Sequence, residues 1–501
     1  MNIRLRKTLL LSIIPFIIAG CNEKNDPIND SVKEPKVVSQ PTATEKKELP
    51  IQSTPAQVKI EEKKELPKLI SYPEQKIERQ SSVATKSTIK NFDFNIIKKG
   101  YKDDNTLLIV GGIQGDEPGG FMAASLIVTH YNITKGSVWV VPNLNFYSII
   151  KRNRGPYGDM NRKFADLEKS DPEYETVERI KSYINDKNVK LIVNLHDGSG
   201  YYRPKFEDSD HSPYKWGQCS IIDQENIKDH QYSDLFKISK DVVKHVNENL
   251  ISDEHKYHLH NTRTREGDKE MEKTLTYYAI NQGKAAFGNE ASKNLPTHQR
   301  TYYHLLALEK YMDTMGIEYE RKFNLNDQVV KNILDNDIEI SLYDNKIKLP
   351  LSKIRNIIKY FPVKHDGTID FIPSNPLMSI IKKDDEYSIY YGNRRLSRLQ
   401  ADYIDYTTEH KDVKINVDSQ DKHTPLGSLI TVKDEFKIYP IKDYRVNVIG
   451  YTNKAKTETN VSINRAKMMK NYSIDKDGSI YRVEFYSKEK FAGMILVKFT
   501  G

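Results

Sequence analysis

Cysteine is almost absent from this chain, since only Cys21 and Cys219 occur among its 501 residues. Two cysteines cannot form a disulfide framework, which excludes the class of small disulfide-stapled scaffolds. A strong charge of either sign is also missing, because the formal net charge is only +8. No dense cluster of basic and aromatic residues is present, and we therefore expect no nucleic-acid partner.

The amino terminus lacks the length of a membrane-spanning helix. Its apolar stretch "TLLLSIIPFII" follows Arg4 and Arg6, and a bilayer needs roughly 20 apolar residues. These features predict an export signal over residues 1–20. The next motif, "IAGC", ends at Cys21 and resembles the lipobox of bacterial lipoproteins, whose cysteine is acylated. We expect a lipid anchor, a periplasmic location and no disulfide for Cys219. A plain secretory signal with a chance cysteine is the alternative.

The segment from residue 21 to residue 90 has few aromatic residues and is rich in Lys, Glu, Pro, Ser, Thr and Gln. The motif "EKKELP" occurs in it twice, at residues 45–50 and 62–67. Such a segment cannot bury enough apolar surface to offset the entropy lost on ordering. We predict a disordered tether that spaces the following domains from the membrane.

Strand-like and helical patterns alternate after the tether. The apolar runs "TLLIVGG", "SVWVVPN", "VKLIVNLHDG" and "KAAFGNE" predict strands, and the longer periodic segments between them predict helices. This order predicts an α/β domain over residues 91–316 with a doubly covered, mostly parallel sheet. Functional groups are then expected at the carboxyl ends of the strands.

Short alternating stretches replace this pattern beyond residue 316. Examples are "DIEISLY", "EYSIYYG", "YRVNVIGY" and "GMILVKF", with turn residues between them. We predict two small β-rich domains, over residues 317–413 and 414–501. Only "LSKIRNIIKYF" is expected to be helical in this part of the chain.

Polar side chains follow several of the predicted strands. In "LLIVGGIQGDEPGG", residues 107–120, glycines allow a sharp turn from which Gln114 and Glu117 project. His196 follows the strand in "LIVNLHDG". These three side chains can converge at one sheet edge, and a zinc hydrolase needs three protein ligands and one open position. Glu290, at the end of another strand, is a candidate for the carboxylate that moves protons in metal-assisted hydrolysis.

A basic loop, "KRNRGPYGDMNRKF", separates two of these strands. It contains Arg152, Arg154, Asn161 and Arg162. A guanidinium group can bind a carboxylate through two parallel hydrogen bonds, and a second one can stabilise an oxyanion. Taken singly, each candidate residue also fits an ordinary role in a turn or at the surface. Their order along the chain, taken together, indicates a common catalytic site.

The successive motifs "GGIQGDEPGG", "DMNRKF", "NLHDG" and "FGNE" resemble the pattern of the metallocarboxypeptidase A family over roughly residues 91–316. That family has a His-x-x-Glu zinc pair, an Asn-Arg pair, a third-ligand histidine and a late catalytic glutamate. Gln114 stands where the family has histidine. This variant, together with two β-rich carboxy-terminal domains, is similar to the murein tripeptide DL-carboxypeptidases that set cell shape in helical bacteria.

The resemblance implies roles for the candidate residues. Zinc would be bound by Gln114, Glu117 and His196, and Glu290 would be the general base.

The remaining candidates would bind the substrate. The resemblance implies that Asn161 and Arg162 hold the terminal carboxylate of a peptide. The arginine that stabilises the oxyanion would be Arg154, and Arg152 also fits the family spacing. Trp216 would line the pocket, with a half-buried core position as the alternative reading.

The activity implied by the resemblance is release of meso-diaminopimelate from uncrosslinked peptidoglycan tripeptide stems, which leaves dipeptides. The expected partners are therefore peptidoglycan stem peptides. Charged residues after His196 are expected to recognise the second amine and carboxylate of diaminopimelate, and the candidates are Arg203, Lys205, Asp208, Asp210 and His211. Two alternatives stay open at this point: an amidohydrolase of small N-acyl amino acids, and a non-catalytic scaffold that binds wall peptide.

Overall fold

The computed structural model describes residues 69–84, 92–407, 412–454 and 458–501, all of which belong to one compact unit, Pro67–Gly501. The predicted signal, Cys21 and most of the predicted tether lie outside the described residues. No helix within the described ranges is long and apolar enough to cross a membrane.

The amino-terminal part alternates strands with helices. Its strands are β1 (Gln80–Ser81), β2 (Val83–Ala84), β3 (Ile97–Gly100), β4 (Thr106–Val110), β5 (Tyr131–Lys135), β6 (Ser137–Val141), β7 (Val189–Gly198), β8 (Tyr201–Tyr202), β9 (His211–Ser212), β10 (Cys219–Ile222), β11 (His258–Asn261), β12 (Ala285–Ser292) and β13 (Glu318–Arg321). Its helices are α1 (Pro118–His130), α2 (Phe146–Lys151), α3 (Tyr174–Ile184), α4 (Leu235–Asn247), α5 (Leu275–Asn281), α6 (Thr297–Thr314) and α7 (Asp327–Asn336).

A seven-stranded sheet with the order β11-β10-β12-β7-β4-β6-β3 forms the centre of this part. The strands β12, β7, β4 and β6 are mutually parallel, whereas β3 runs antiparallel to β6 and β10 runs antiparallel to β12 and parallel to β11. The parallel strands are buried at nearly every position, since helices such as α1, α5 and α6 pack against the sheet. The predicted fold class, an α/β domain with a doubly covered and mostly parallel sheet, is confirmed.

The α/β part continues beyond the predicted boundary at residue 316. Strand β13 pairs with β5, and helix α7 packs against α6. Helix α7 begins after Asn326, whose side chain accepts a hydrogen bond from the Val329 N–H. Residues 318–336 therefore belong with the α/β part, because their apolar face is buried against it.

The described residues 69–84 lie inside the segment predicted to be a disordered tether. Tyr72 donates its N–H to the Gly100 carbonyl at 2.8 Å. Strand β1 adds to a sheet of the following β-rich part and pairs with residues Asp370 and Phe371. The tether prediction is therefore wrong for these residues, because backbone pairing orders a stretch whose composition alone does not predict a strand.

Short strands make up the rest of the chain. They are β14 (Glu339–Leu342), β15 (Ile347–Pro350), β16 (Ile357–Lys364), β17 (Asp370–Pro373), β18 (Met378–Lys383), β19 (Glu386–Tyr391), β20 (Arg394–Ile404), β21 (Asp412–Val417), β22 (Gln420–Pro425), β23 (Leu429–Val432), β24 (Glu435–Ile438), β25 (Tyr444–Val448), β26 (Ile463–Asn464), β27 (Ile480–Ser487) and β28 (Lys490–Phe499). The first β-rich module has sheets β1-β17-β14-β15 and β16-β20-β19-β18-β2. The second has sheets β22-β21-β24-β26 and β23-β28-β27-β25.

The segment "LSKIRNIIKYF", which was expected to be helical, ends in strand β16. This strand runs parallel to β20, and their pairing is interrupted by a bulge between Ile358 and Phe361. A short apolar run fits both a helix and a strand, and pairing with β20 decides between them here. The first β-rich module shares one apolar core with the α/β part, and the second contributes residues such as Phe491 and Met494 to that core in addition to a core of its own.

Candidate active site

A glycine-rich loop follows strand β4 and leads into helix α1. Gly112 has a φ of +73°, a conformation that favours glycine. A Cβ on Gly115 would lie 2.1 Å from the Ser148 carbonyl group, so no other residue fits there. Pro118 then starts α1, and the loop buries the side chains of Gln114 and Glu117.

The side chain of His196 meets both loop residues at the carboxyl end of β7. Its Nδ1 atom lies 2.8 Å from Gln114 Oε1 and 3.0 Å from Glu117 Oε2. Two ligands in a tetrahedral zinc site, each about 2.1 Å from the metal, are roughly 3.4 Å apart. Both distances from Nδ1 would reach this value if the atoms separated by a few tenths of an ångström.

A metal at this position would have an unusual donor set. No group of three His, Cys, Asp or Glu side chains in the described part of the chain could hold a metal ion. Here the neutral amide oxygen of Gln114 would be the third donor, beside Glu117 and His196. An amide oxygen and a carboxylate are hard donors, and imidazole suits zinc and its neighbours in the first transition row.

Glu290 lies beside His196, since β12 and β7 are parallel and these two residues are register partners. Its side chain is buried, and Oε2 has no hydrogen-bond partner among the described residues. Burial raises the pKa of Glu290 well above its ordinary value, and the charges of Glu117 and Asp197 raise it further. A buried carboxyl with one unbonded oxygen beside the converging donors is suited to accepting and returning a proton.

Asn161 and Arg162 lie on a single 3₁₀ turn, Met160–Arg162. Asn161 Oδ1 accepts the Leu275 N–H at 3.1 Å, and Asn161 Nδ2 lies 3.5 Å from His196 Nε2. The Arg162 guanidinium donates to the Asn161 carbonyl at 3.0 Å. Both side chains line the cavity beside Glu290 and can present N–H donors to an anionic group.

The sequence left either Arg154 or Arg152 as the arginine that stabilises the oxyanion, and the structure places these two residues differently. Arg154 lines the cavity, and its guanidinium donates to Glu117 Oε1 at 3.1 Å and to Asp159 Oδ2 at 2.9 Å. Arg152 ends helix α2 with a φ of 56° and is exposed. It is not among the described residues that line the cavity, so its predicted contact with substrate has no support from the geometry.

The cavity between these groups has a volume of about 370 Å³. Its lining also includes Trp216, Ile221, Met271, Thr274, Thr276 and Gly288. Trp216 is half-buried and packs against His260, with ring centroids 4.9 Å apart. A cavity of this size, lined by charged, apolar and hydroxyl side chains, suits a small polar ligand.

Comparison with protein families identifies the chain. A family described as carboxypeptidases controlling helical cell shape, catalytic part, matches residues 83–335. The chain belongs to this carboxypeptidase family. The beta-barrel domain of the same carboxypeptidases matches residues 335–405, and a C-terminal domain of metallo-carboxypeptidases matches residues 406–500.

Solved structures agree with this family. The tripeptide-bound cell shape determinant Csd4 of Helicobacter pylori is 40% identical, with a TM-score of 0.73, and the match covers 81% of this chain and 100% of that one. The mDAP-bound form of H. pylori Csd4, a D,L-carboxypeptidase, is 39% identical, with a TM-score of 0.72 and coverage of 84% and 100%. No curated protein sequence matches the chain. The family favours a carboxypeptidase over the amidohydrolase and scaffold alternatives.

Asp159 and Lys293 are among the polar residues of this carboxypeptidase's candidate site that the sequence did not predict. Asp159 accepts a hydrogen bond from Gln114 Nε2 at 2.8 Å. Lys293 lines the cavity and lies 2.8 Å from Asp116 Oδ2 and 3.3 Å from Glu117 Oε1. A signal for Lys293 existed, since it follows Glu290 by three residues at the same sheet edge. Asp159 directly precedes the "MNR" motif, but nothing in the sequence connects it to Gln114.

The charged segment after His196 does not form the pocket in this carboxypeptidase. The Arg203 guanidinium donates to the carbonyls of Glu254 and Lys256, and Asp208 accepts from the His211 ring. Lys205 and Asp210 are exposed. None of these five residues is among the described residues that line the cavity. The geometry therefore gives no support to their predicted role, and Thr274 and Thr276 at the start of α5 line the cavity instead.

Proposed function

We propose that the protein is a zinc-dependent carboxypeptidase that trims peptidoglycan tripeptide stems to dipeptides by releasing meso-diaminopimelate, and that it thereby influences cell shape. The observation that carries the proposal is the convergence of Gln114, Glu117, His196 and Glu290 on one cavity. The tripeptide-bound and mDAP-bound forms of the similar H. pylori protein support the substrate.

Gln114, Glu117 and His196 would hold the zinc ion. When bound, zinc supplies Lewis acidity, which acidifies water and polarises an amide carbonyl. The Glu290 carboxylate takes the proton of the attacking water and delivers it to the leaving amine. Its unbonded Oε2 atom and its burial beside His196 suit that task.

Positively charged groups would bind the rest of the substrate. Arg162 and Asn161 hold the free terminal carboxylate, which makes the enzyme an exopeptidase. Arg154 stabilises the negative charge that develops on the carbonyl oxygen. Trp216 packs against the side chain of the released residue, and Thr274 and Thr276 line the same cavity.

We also propose where the enzyme works. The lipobox at Cys21 supports a lipid anchor in a membrane that faces the periplasm. Residues 1–20 would be removed as a signal, and the segment up to about residue 68 would act as the tether. The three parts that follow would be the catalytic domain and two β-rich domains.

Mass spectrometry of stem peptides tests this function. Purified peptidoglycan tripeptides are incubated with the protein in the presence of zinc, with chelator, and with the Glu290→Gln variant. We expect tripeptide to disappear with a matching gain of dipeptide and free diaminopimelate, and we expect chelator and the variant to abolish the conversion. Intact tripeptide in the presence of demonstrably bound zinc would refute the substrate.

A further inference from the structure

A turn of the first β-rich module touches the loop that carries Gln114 and Glu117. The turn is Gly392–Asn393, between strands β19 and β20. The Asn393 side-chain amide donates a hydrogen bond to the Gly115 carbonyl at 3.3 Å. A residue far along the chain therefore contacts the backbone between the two loop side chains.

The other side of Gly115 is held by the α/β part. Its N–H donates to the Asn153 carbonyl at 3.0 Å and lies 3.1 Å from Ser148 Oγ. A side chain on Gly115 would overlap the backbone of Ser148. The peptide group that precedes Gly115 is thus anchored internally, whereas the bond from Asn393 anchors the peptide group that follows it.

The same turn also packs against helix α1, which begins directly after Glu117. A Cβ on Gly392 would lie 2.8 Å from the Phe121 ring and 2.9 Å from the end of the Met122 side chain. Gly392 has a φ of +54°, so both its conformation and its contact with α1 favour glycine.

A second contact fixes the same helix farther along. Asn375 Nδ2 donates to Ser125 Oγ at 3.2 Å, and both residues are buried. Phe121, Met122 and Tyr391 belong to one continuous apolar core. The module and α1 therefore form a rigid unit around the end of the loop, since interiors packed in this way transmit displacements.

We propose that the Gly392–Asn393 turn is a positioning element of the active site. By holding the Gly115 carbonyl and the start of α1, it fixes the loop so that Gln114 Oε1 and Glu117 Oε2 face His196 before metal binds. Asn393 is a positioning residue, and the first β-rich module takes part in forming the site. This inference rests on the proposed metal site and deepens it.

Hydrogen exchange tests the proposal without metal or substrate. The full chain is stripped of metal, and exchange is followed in the peptides that cover residues 111–121. Asn393→Ala removes the donor, so we expect exchange in this loop to accelerate about fivefold, the effect of one hydrogen bond. Asn393→Asp places an acceptor against the Gly115 carbonyl, and we expect it to accelerate exchange more than alanine does.

Zinc affinity gives a second measure for the same variants. We expect the dissociation constant to rise about fivefold for Asn393→Ala, in parallel with the exchange rate, and further for Asn393→Asp. The KM for tripeptide should change little, because Asn161 and Arg162 lie on a different turn. Asn416→Ala is the matched control, since the Asn416 amide bonds Asp421 within the second β-rich module.

The outcomes separate this inference from the function on which it rests. Unchanged loop exchange in both Asn393 variants would overturn the positioning role, even if the wild-type protein binds zinc and cleaves tripeptide. An aspartate variant that behaves like the alanine variant would overturn it as well, because packing alone would then explain the effect. Faster exchange in a protein that binds no zinc would support the positioning role and refute the metal site.

Discussion

Gln114 and Asp159 form a hydrogen bond that decides which atom of the Gln114 amide faces the candidate metal site. The amide nitrogen donates to Asp159 Oδ1 at 2.8 Å, and the amide oxygen lies 2.8 Å from His196 Nδ1. A carboxylate can only accept, so the amide must turn its nitrogen toward Asp159. The other oxygen of Asp159 accepts from Arg154 at 2.9 Å, which connects a proposed ligand to the proposed oxyanion arginine.

Replacing Asp159 should weaken zinc binding. In Asp159→Ala the Gln114 amide loses the partner that orients it, and we expect the dissociation constant for zinc to rise by about tenfold or more, as for other residues that orient metal ligands. Competition with a chelator measures the constant. Asp166→Ala, at an exposed position a few residues later, is the control. Equal zinc affinities in wild type and Asp159→Ala would show that Asp159 does not orient Gln114 for zinc binding.

The chemistry of Gln114 predicts how tightly the metal is held. A neutral amide oxygen is a weaker zinc donor than imidazole, so the wild-type protein should lose zinc to chelator readily. We expect Gln114→His to retain zinc and release it more slowly, and Gln114→Ala to release it faster. Stopped-flow transfer of zinc to a chromophoric chelator gives the three rates. If Gln114→Ala bound zinc and turned over tripeptide as wild type does, Gln114 could not be a ligand.

Arg154 and Arg152 form a matched pair for a kinetic test. Arg154 lines the cavity and Arg152 does not. Of these two arginines, only Arg154 is therefore placed to stabilise charge on the substrate. We expect Arg154→Ala to lower kcat by a factor on the order of 100, whereas Arg152→Ala should keep kcat and KM close to wild type. Zinc content is determined for both variants, since Arg154 also contacts Glu117. A larger loss of kcat in the Arg152 variant would reverse the assignment.

We expect His260 to make the protein less stable in acid. Burial lowers the pKa of His260 to about 4 from its usual 6.5, and its Nδ1 has no hydrogen-bond partner among the described residues. Between pH 6.5 and pH 4 the unfolded chain binds more protons at this side chain than the folded protein does, so stability falls as the pH is lowered through this window.

The size of this effect can be measured by substitution. The full penalty at low pH is about 2 kcal/mol after discounting for partial exposure. His260→Phe keeps an aromatic ring against Tyr202, with which His260 stacks at 4.0 Å, and removes the titration. The fall in Tm between pH 6.5 and pH 4.5 should be smaller in this variant than in wild type or in His423→Phe, which changes an exposed histidine. Parallel pH profiles for all three proteins would contradict the prediction.

The elements that bring the candidate residues together were readable from the sequence. Four parallel strands carry apolar runs that end in polar or glycine-rich segments, and the geometry of parallel strands places those ends at one edge. Gln114, Glu117, His196 and Glu290 could therefore be grouped before any coordinates were known. The Asn161–Arg162 pair came from a motif, and its loop reaches the same cavity.

The features of the fold and the site that the sequence did not predict depend on contacts between distant segments. Thr274 and Thr276 line the cavity because α5 packs against β12, and no local pattern encodes that packing. Strand β1 and the start of β16 take their form from strands that follow them in the chain. The hydrogen bond from Asn393 to the loop that carries Gln114 and Glu117 could not be predicted either. A polar residue in a hairpin turn is common for local reasons alone, so its presence does not indicate a distant contact.

At the carboxyl edge of the sheet, Gln114, Glu117 and His196 are proposed to hold one zinc ion. Anomalous diffraction at the zinc edge, from crystals grown with zinc, tests it. We predict one strong peak within about 2.0–2.2 Å of Gln114 Oε1, a Glu117 carboxylate oxygen and His196 Nδ1. A fully occupied zinc site elsewhere in the molecule, with no peak between these three side chains, would contradict the account.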